Sequence, residues 1–103
     1  VSYGSAPKDG RSWKEIFLAE VADRIDPARL HFTGKLPYNA YVGLMQVSRL
    51  HVYLTYPFVL SWSFMEAMAI GAPMLASDTE PVREVVTDGE NGRLFPFFDS
   101  AAL

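Results

Sequence analysis

Between Val52 and Ser77 a single charged side chain stands among apolar and small polar residues, Glu66. A lone acid in such a stretch either lies near the interior or has a polar partner waiting for it. Its chemistry is that of an acceptor: an ionised carboxylate takes two O–H groups at once, as a vicinal pair of sugar hydroxyls would offer them. The residues before it, Leu60, Ser61, Trp62 and Ser63, fall where a helix should start, and free backbone N–H groups there can hold an anion. Ser63, three residues before Glu66, permits a second use. It can cap the helix while Glu66 bonds back to it, in a capping box that needs no ligand. Spacing alone leaves the two readings open.

Other candidates carry less. His31 and His51 both sit at expected strand starts without a second ligand at metal spacing, so they read as structural and no metal site is expected. Gly4-Ser5-Ala6 opens a loop but lacks a dinucleotide fingerprint. Phe58 and Trp62 read as core or inter-domain packing, because large aromatics are mostly placed by burial. Asp78 and Glu80 read as a strand-end turn and a helix start. Lys35 is either solvated or close to the ligand. With 0 cysteines there are no disulfides or thiolate sites, which fits a reducing compartment. A net charge of −3 with scattered lysines and arginines argues against nucleic acid as a partner.

The elements that must position these residues alternate between extended and helical. Residues 1–3 read as a strand and 4–10 as a loop. Ser12 and Glu15 form a capping box, and Trp13, Ile16, Phe17, Glu20, Val21 and Ile25 have helical spacing up to Asp26-Pro27. Residues 30–33 read as a short strand and 34–37 as a turn. Asn39 caps a helix that turns Tyr41, Leu44, Met45 and Val47 inward. The near-continuous apolar run at 50–55 predicts a strand covered on both faces. A loop over 56–61, the Glu66 helix to Ile70, a strand at 74–76, a short helix at 80–86, a turn at 88–92 and a strand at 93–95 complete the series. Asp99 or Ser100 caps a further helix.

Strand and helix alternating about five times predicts an α/β domain, a mostly parallel sheet with helices on both faces. Pro57, Glu66, Gly71 and Pro73 break the apolar region into pieces too short to span a membrane, so no transmembrane segment is expected. Both ends read as cut, and the chain as a piece of a larger protein. Ligands in open parallel sheets bind at the carboxyl ends of the strands, which selects the loops at 4–10, 34–37, 56–61 and 77–80. Only the third leads into a helix carrying a buried-looking acid, an arrangement that suits a nucleotide.

The run from Val52 to Asp78, with Glu66-Ala67-Met68-Ala69-Ile70-Gly71-Ala72-Pro73 at its heart and Ala76-Ser77-Asp78 after it, resembles the donor-site segment of retaining GT-B glycosyltransferases of the group 1 (family 4) type. His31-Phe32-Thr33-Gly34-Lys35-Leu36-Pro37 resembles the strand and turn that these enzymes place beside the nucleotide base. Pro81-Val82-Arg83-Glu84-Val85-Val86, then Asp88-Gly89-Glu90-Asn91-Gly92-Arg93-Leu94-Phe95, resembles their next helix and strand. The order of the pieces covers nearly the whole chain.

That resemblance implies a Rossmann-like three-layer domain, half of a GT-B fold. The chain would be part of the C-terminal donor-binding domain, with the acceptor domain and the start of its own domain upstream. It implies a UDP- or GDP-sugar as donor, a glycan or lipid acceptor, hexosyl transfer with retention, no further cofactor, and work in the cytoplasm or at its inner membrane face. Glu66 matches the glutamate that binds the ribose hydroxyls. The implied donor site comprises Leu60, Ser61, Trp62, Ser63 and Glu66, with Lys35 and Leu36 beside the base. Phe58 stands where the family places a first glutamate, and Val59-Leu60-Ser61-Trp62-Ser63 replaces its glycine-rich loop, which bears on recognition of the donor hexose. The arginine and lysine that neutralise the departing diphosphate lie upstream of Val1 in these enzymes, so the isolated piece is expected to be inactive. Two other classes compete: a non-catalytic nucleotide-sugar or protein-binding domain of the same fold, and half of a sugar-nucleotide epimerase. A signalling receiver would need an acid cluster after its first strand, and Val1-Ser2-Tyr3-Gly4 has none.

Overall fold

A computed structural model of the chain describes residues 10–56 and 59–103. The strand expected at 1–3, most of the loop expected at 4–10, and Phe58 lie outside the described residues. The chain divides into two units, Val1–Lys35 and Leu36–Leu103.

In the first unit, helix α1 spans Trp13–Val21. Its start is the expected capping box. The Glu15 amide donates to the Ser12 hydroxyl at 3.2 Å, and the Ser12 amide donates to the Glu15 carboxylate at 2.6 Å. The bond from the Ser12 amide foremost, and then one from the Ser12 hydroxyl, hold the Glu15 carboxyl below its ordinary pKa. The helix does not reach Ile25. It ends four residues earlier, where Asp23 and Asp26 meet the negative end of the helix dipole, and a single 3-10 turn, Pro27–Arg29, follows under an Asp26 cap. The strand expected at 30–33 does not form a ladder with any described strand. Its residues are exposed and Lys14 lies over the Phe32 ring, 3.8 Å from the centroid.

The second unit is an α/β arrangement on a parallel sheet. Helix α2 spans Tyr38–Val47, strand β1 His51–Tyr53, helix α3 Trp62–Ile70, strand β2 Met74–Ser77, helix α4 Glu80–Arg83 and strand β3 Arg93–Phe95. The strands lie in the order β1-β2-β3, both pairs parallel, with Tyr53 opposite Ala76 and Ala76 opposite Leu94. Side chains from that row meet α2 and α3 in one core of Met45, Phe64, Ala67, Met74, Ala76, Val82 and Val86. Asn39 is not the cap of α2. Pro37 occupies that place, and the Asn39 side chain accepts from the Ala40 amide instead. Met45 faces inward as expected, but Val47 is exposed. The strand at 50–55 also corrects the reading: it shortens to three residues, and Val52 and Leu54 are 45% and 55% exposed, so one face is open rather than both covered. Helix α4 is shorter than expected, and Asp99, not Ser100, caps the last turn by accepting from the Ala101 and Ala102 amides.

Candidate functional site

The site is assembled where β1 ends and α3 begins. Ser61 adopts extended backbone and its hydroxyl accepts the Phe64 amide at 3.2 Å, which makes it the cap of α3. The helix stops at Gly71, whose φ of 80° suits glycine. The Gly71 amide donates to Met68 and the Ala72 amide to Ala67, the paired bonds of a Schellman motif. Phe64 and Ala67 lock the helix onto the sheet, and the Phe64 ring sits 4.6 Å from that of Tyr53.

This start overturns the capping-box alternative for Glu66. The cap lies two residues before Ser63, so the third helical position is Phe64 and Glu66 stands in the second turn. Its carboxylate is half-buried and lies by the hydroxyl of Tyr41, across from α2. Burial first, then the charge and hydrogen bonding of Glu66, raise the Tyr41 phenol above its ordinary pKa. A neutral hydroxyl on the neighbouring helix thus lies close to the acid, while its own hydrogen bond, at 3.5 Å, goes to the Ser63 carbonyl oxygen. No sequence spacing pointed to it, because Tyr41 and Glu66 belong to different elements and Tyr41 read simply as an inward-facing residue.

The backbone donors divide. The Ser61 amide is already engaged, donating to the Tyr53 hydroxyl at 3.3 Å, and so is less available to an anion than the sequence suggests. The amides of Trp62 and Ser63 have no acceptor among the described residues, and they open the helix at the positive end of its dipole. The Ser61 and Ser63 hydroxyls lie 2.9 Å apart beside them. Leu60 packs against the core cluster. Trp62 is 86% exposed, with its ring free of the core, so of the two expected kinds of packing the core one does not apply. Leu36 is half-buried at the start of the second unit, while Lys35 is exposed on a bend at the end of the first.

The next loop closes on itself. Arg83 grips Asp78 through two bonds, Nε to Oδ1 at 2.5 Å and Nη2 to Oδ2 at 2.8 Å. The hydrogen bonds from Arg83, more than its charge, lower the Asp78 pKa. Ser77 is fully buried and its hydroxyl accepts the Thr55 amide at 2.9 Å, tying the ends of β1 and β2 together. The buried Thr79 hydroxyl has no hydrogen-bond partner among the described residues. With Arg83 paired, and no lysine or arginine between Tyr56 and Asp78, the α3 end offers helix amides rather than cations to an anion. Three rings border this end of the sheet, Tyr56, Phe97 and Phe98, with centroids 5.1–5.7 Å apart. The sequence reading did not single them out.

A cleft of about 590 Å³ lies elsewhere, at the amino ends of the strands, between Leu50, Pro73, Met74, Gly92 and Arg93. In open parallel sheets the crevice outside the carboxyl ends receives the ligand, and the start of α3 with Glu66 lies at that end. Among the described residues no group of three or more His, Asp or Glu side chains is placed to hold a metal ion. No helix among them is long and apolar enough to cross a membrane.

A family model, Glycosyl transferases group 1, matches residues 13–103. A phosphatidyl-myo-inositol mannosyltransferase of Mycobacterium leprae is 56% identical over 39 residues, which cover 38% of this chain and 10% of that protein. An uncharacterised glycosyltransferase of Methanocaldococcus jannaschii is 35% identical over 66 residues, 63% of this chain and 17% of that protein. The matched stretches are thus small parts of both relatives. No solved structure matches the chain.

Proposed function

The chain belongs to the group 1 glycosyl transferases, and from that membership we propose that it is the nucleotide-sugar-binding part of a larger transferase, the C-terminal half of a GT-B fold. The parent moves a hexose with retention from a nucleoside diphosphate donor to a glycan or lipid acceptor. The stretch shared with a mannosyltransferase agrees with a hexose as the transferred group.

The observation that carries this reading is the placement of Glu66 one turn behind the unengaged amides of Trp62 and Ser63, at the carboxyl end of β1. A diphosphate on those amides meets the positive end of the helix dipole, and a ribose one step further along α3 brings its hydroxyl pair to the carboxylate. Breaking the sugar–phosphate bond leaves negative charge on the departing diphosphate. Helix amides supply part of its stabilisation, and cations from the parts of the enzyme outside this chain supply the rest.

Titration of the protein with UDP, GDP and ADP, followed through the backbone NMR signals of Ser61, Trp62, Ser63 and Glu66, tests the reading. Saturable shifts at these amides are expected for one nucleotide. Glu66→Gln removes a charge-assisted acceptor and should weaken that nucleotide by about 1–3 kcal/mol. Equal affinity in a folded Glu66→Gln protein would remove Glu66 from the site. A second reading, a domain that binds donor without turning it over, is favoured by Phe58 at the position where the resemblance places an acid. Nucleotide binding without sugar transfer by the whole protein would select it.

A further inference from the structure

The proposed donor site depends on a carboxylate at the end of a flexible side chain, and the neighbouring helix contains the group that can hold it still. Tyr41 lies in the first turns of α2, with its ring packed on the core and its hydroxyl 3.5 Å from the carbonyl oxygen of Ser63. Ser63 and Glu66 are three residues apart on α3 and share a face of that helix. The same hydroxyl is thus set beside the Glu66 carboxylate, and its phenolic proton is held more tightly than that of an ordinary tyrosine through burial and the Glu66 charge.

A phenol has one proton to give. At 3.5 Å the Ser63 carbonyl is at the limit of a hydrogen bond, whereas an ionised carboxylate makes a stronger, charge-assisted one. We propose that Tyr41 is the positioning residue of the ribose-binding acid: its O–H donates to one lone pair of the Glu66 carboxylate and turns the remaining acceptor positions toward the two ribose hydroxyls. The proposal rests on the donor-site reading of Glu66 given above. A carboxylate has about four acceptor positions, so one bond to Tyr41 leaves enough for both hydroxyls. The neutrality of the partner matters as much as its position. An arginine would orient the carboxylate but neutralise it, as Arg83 does to Asp78, while a phenol orients it and leaves its charge for the ligand. Holding the side chain in advance also spares the ligand the entropy of ordering it.

The test is a double-mutant cycle on the intact protein. Dissociation constants of UDP, GDP and ADP, and of their 2′-deoxy forms, are measured for wild type, Tyr41→Phe, Glu66→Gln and the double variant. Phe keeps the ring in the core, and an unchanged thermal midpoint confirms that the fold is intact. Tyr41→Phe is expected to weaken the preferred ribonucleotide about three- to tenfold and to shrink its advantage over the 2′-deoxy form. In the Glu66→Gln background the same change should have little further effect. A purely structural tyrosine would not move the ribose-to-deoxyribose ratio. If Glu66→Gln weakens binding while Tyr41→Phe leaves affinity and that ratio unchanged, or tightens binding, the Tyr41 assignment is wrong and the donor site stands. If no nucleotide binds, or Glu66→Gln binds as wild type, the donor-site reading fails and the role of Tyr41 falls with it.

Discussion

At the scale of single residues, the two acids near the end of the sheet have opposite fates. Glu66 lies near a neutral hydroxyl, while the charge of Asp78 is spent on Arg83. The Arg83 hydrogen bonds hold the folded-state pKa of Asp78 below the ordinary 3.8. An acid whose pKa is depressed by folding adds stability above its unfolded value and loses it as pH falls through the folded one. Asp78→Asn should therefore lower stability at neutral pH and flatten the acid limb below about pH 4, since the variant has no proton to take up there. The effect is small, because the Arg83 side chain is largely exposed and solvent screens the pair. Thermal midpoints of both proteins across the acid range check this. A gap between them that is as wide at pH 3 as at pH 7 would mean that the pair contributes nothing through its charge. Glu66 itself was legible as the residue that needs explaining, since its isolation is written in the chain. Its partner was not, because a contact between α2 and α3 leaves no trace in the spacing of either helix.

At the scale of elements, two glycines illustrate separate demands. A Cβ at Gly71 meets nothing within 4 Å, so what excludes other residues there is the φ of 80° that ends α3. A Cβ at Gly92 would lie 2.9 Å from Val86 Cγ1 and 3.3 Å from Met74 Cβ, both on buried core residues. Gly71→Ala should cost about 1–2 kcal/mol through backbone strain, and Gly92→Ala about 1–3 kcal/mol through overpacking. Denaturant titration separates the causes. Adding Val86→Ala removes the methyl in the way, so the double variant with Gly92→Ala should cost less than the two single changes summed, whereas with Gly71→Ala the costs should add. Additivity in both pairs would refute the overpacking account. Local signals of this kind were the readable part of the fold: the Ser12 and Glu15 box, the Gly71 stop and the turn before β3 are where the chain placed them. What depends on distant partners was not. Residues 30–33 have strand composition but no described strand to pair with, and the cap of α3 is Ser61 rather than the Ser63 that the spacing to Glu66 offered.

At the scale of the whole molecule, strand β1 of the second unit has two unlike sides. Tyr53, Met74, Ala76 and Leu94 point toward the helices, where Phe64 is fully buried. Val52 on β1 and Leu54 just after it, alternating with Tyr53, are about half exposed. A continuous apolar run reports hydrophobicity and not coverage, which is why the strand read as buried on both sides. If the exposed face is as open in solution as in the structure, Val52→Ala removes little buried area and should cost no more than about 0.5 kcal/mol. Phe64→Ala, which empties the centre of the core under α3, should cost about 3–5 kcal/mol. The comparison is most informative in the intact protein. In the relatives, of which the matched stretches are 10% and 17%, further chain surrounds this region, and a Val52→Ala penalty of 1 kcal/mol or more in the intact protein would mean that this side of β1 packs against a neighbour. The Phe64 penalty should be large in either case, because the core cluster around it is made of residues of the second unit. A small Phe64 cost would contradict the core itself, and with it the rigid placement of α3 on which Glu66 and the helix amides depend.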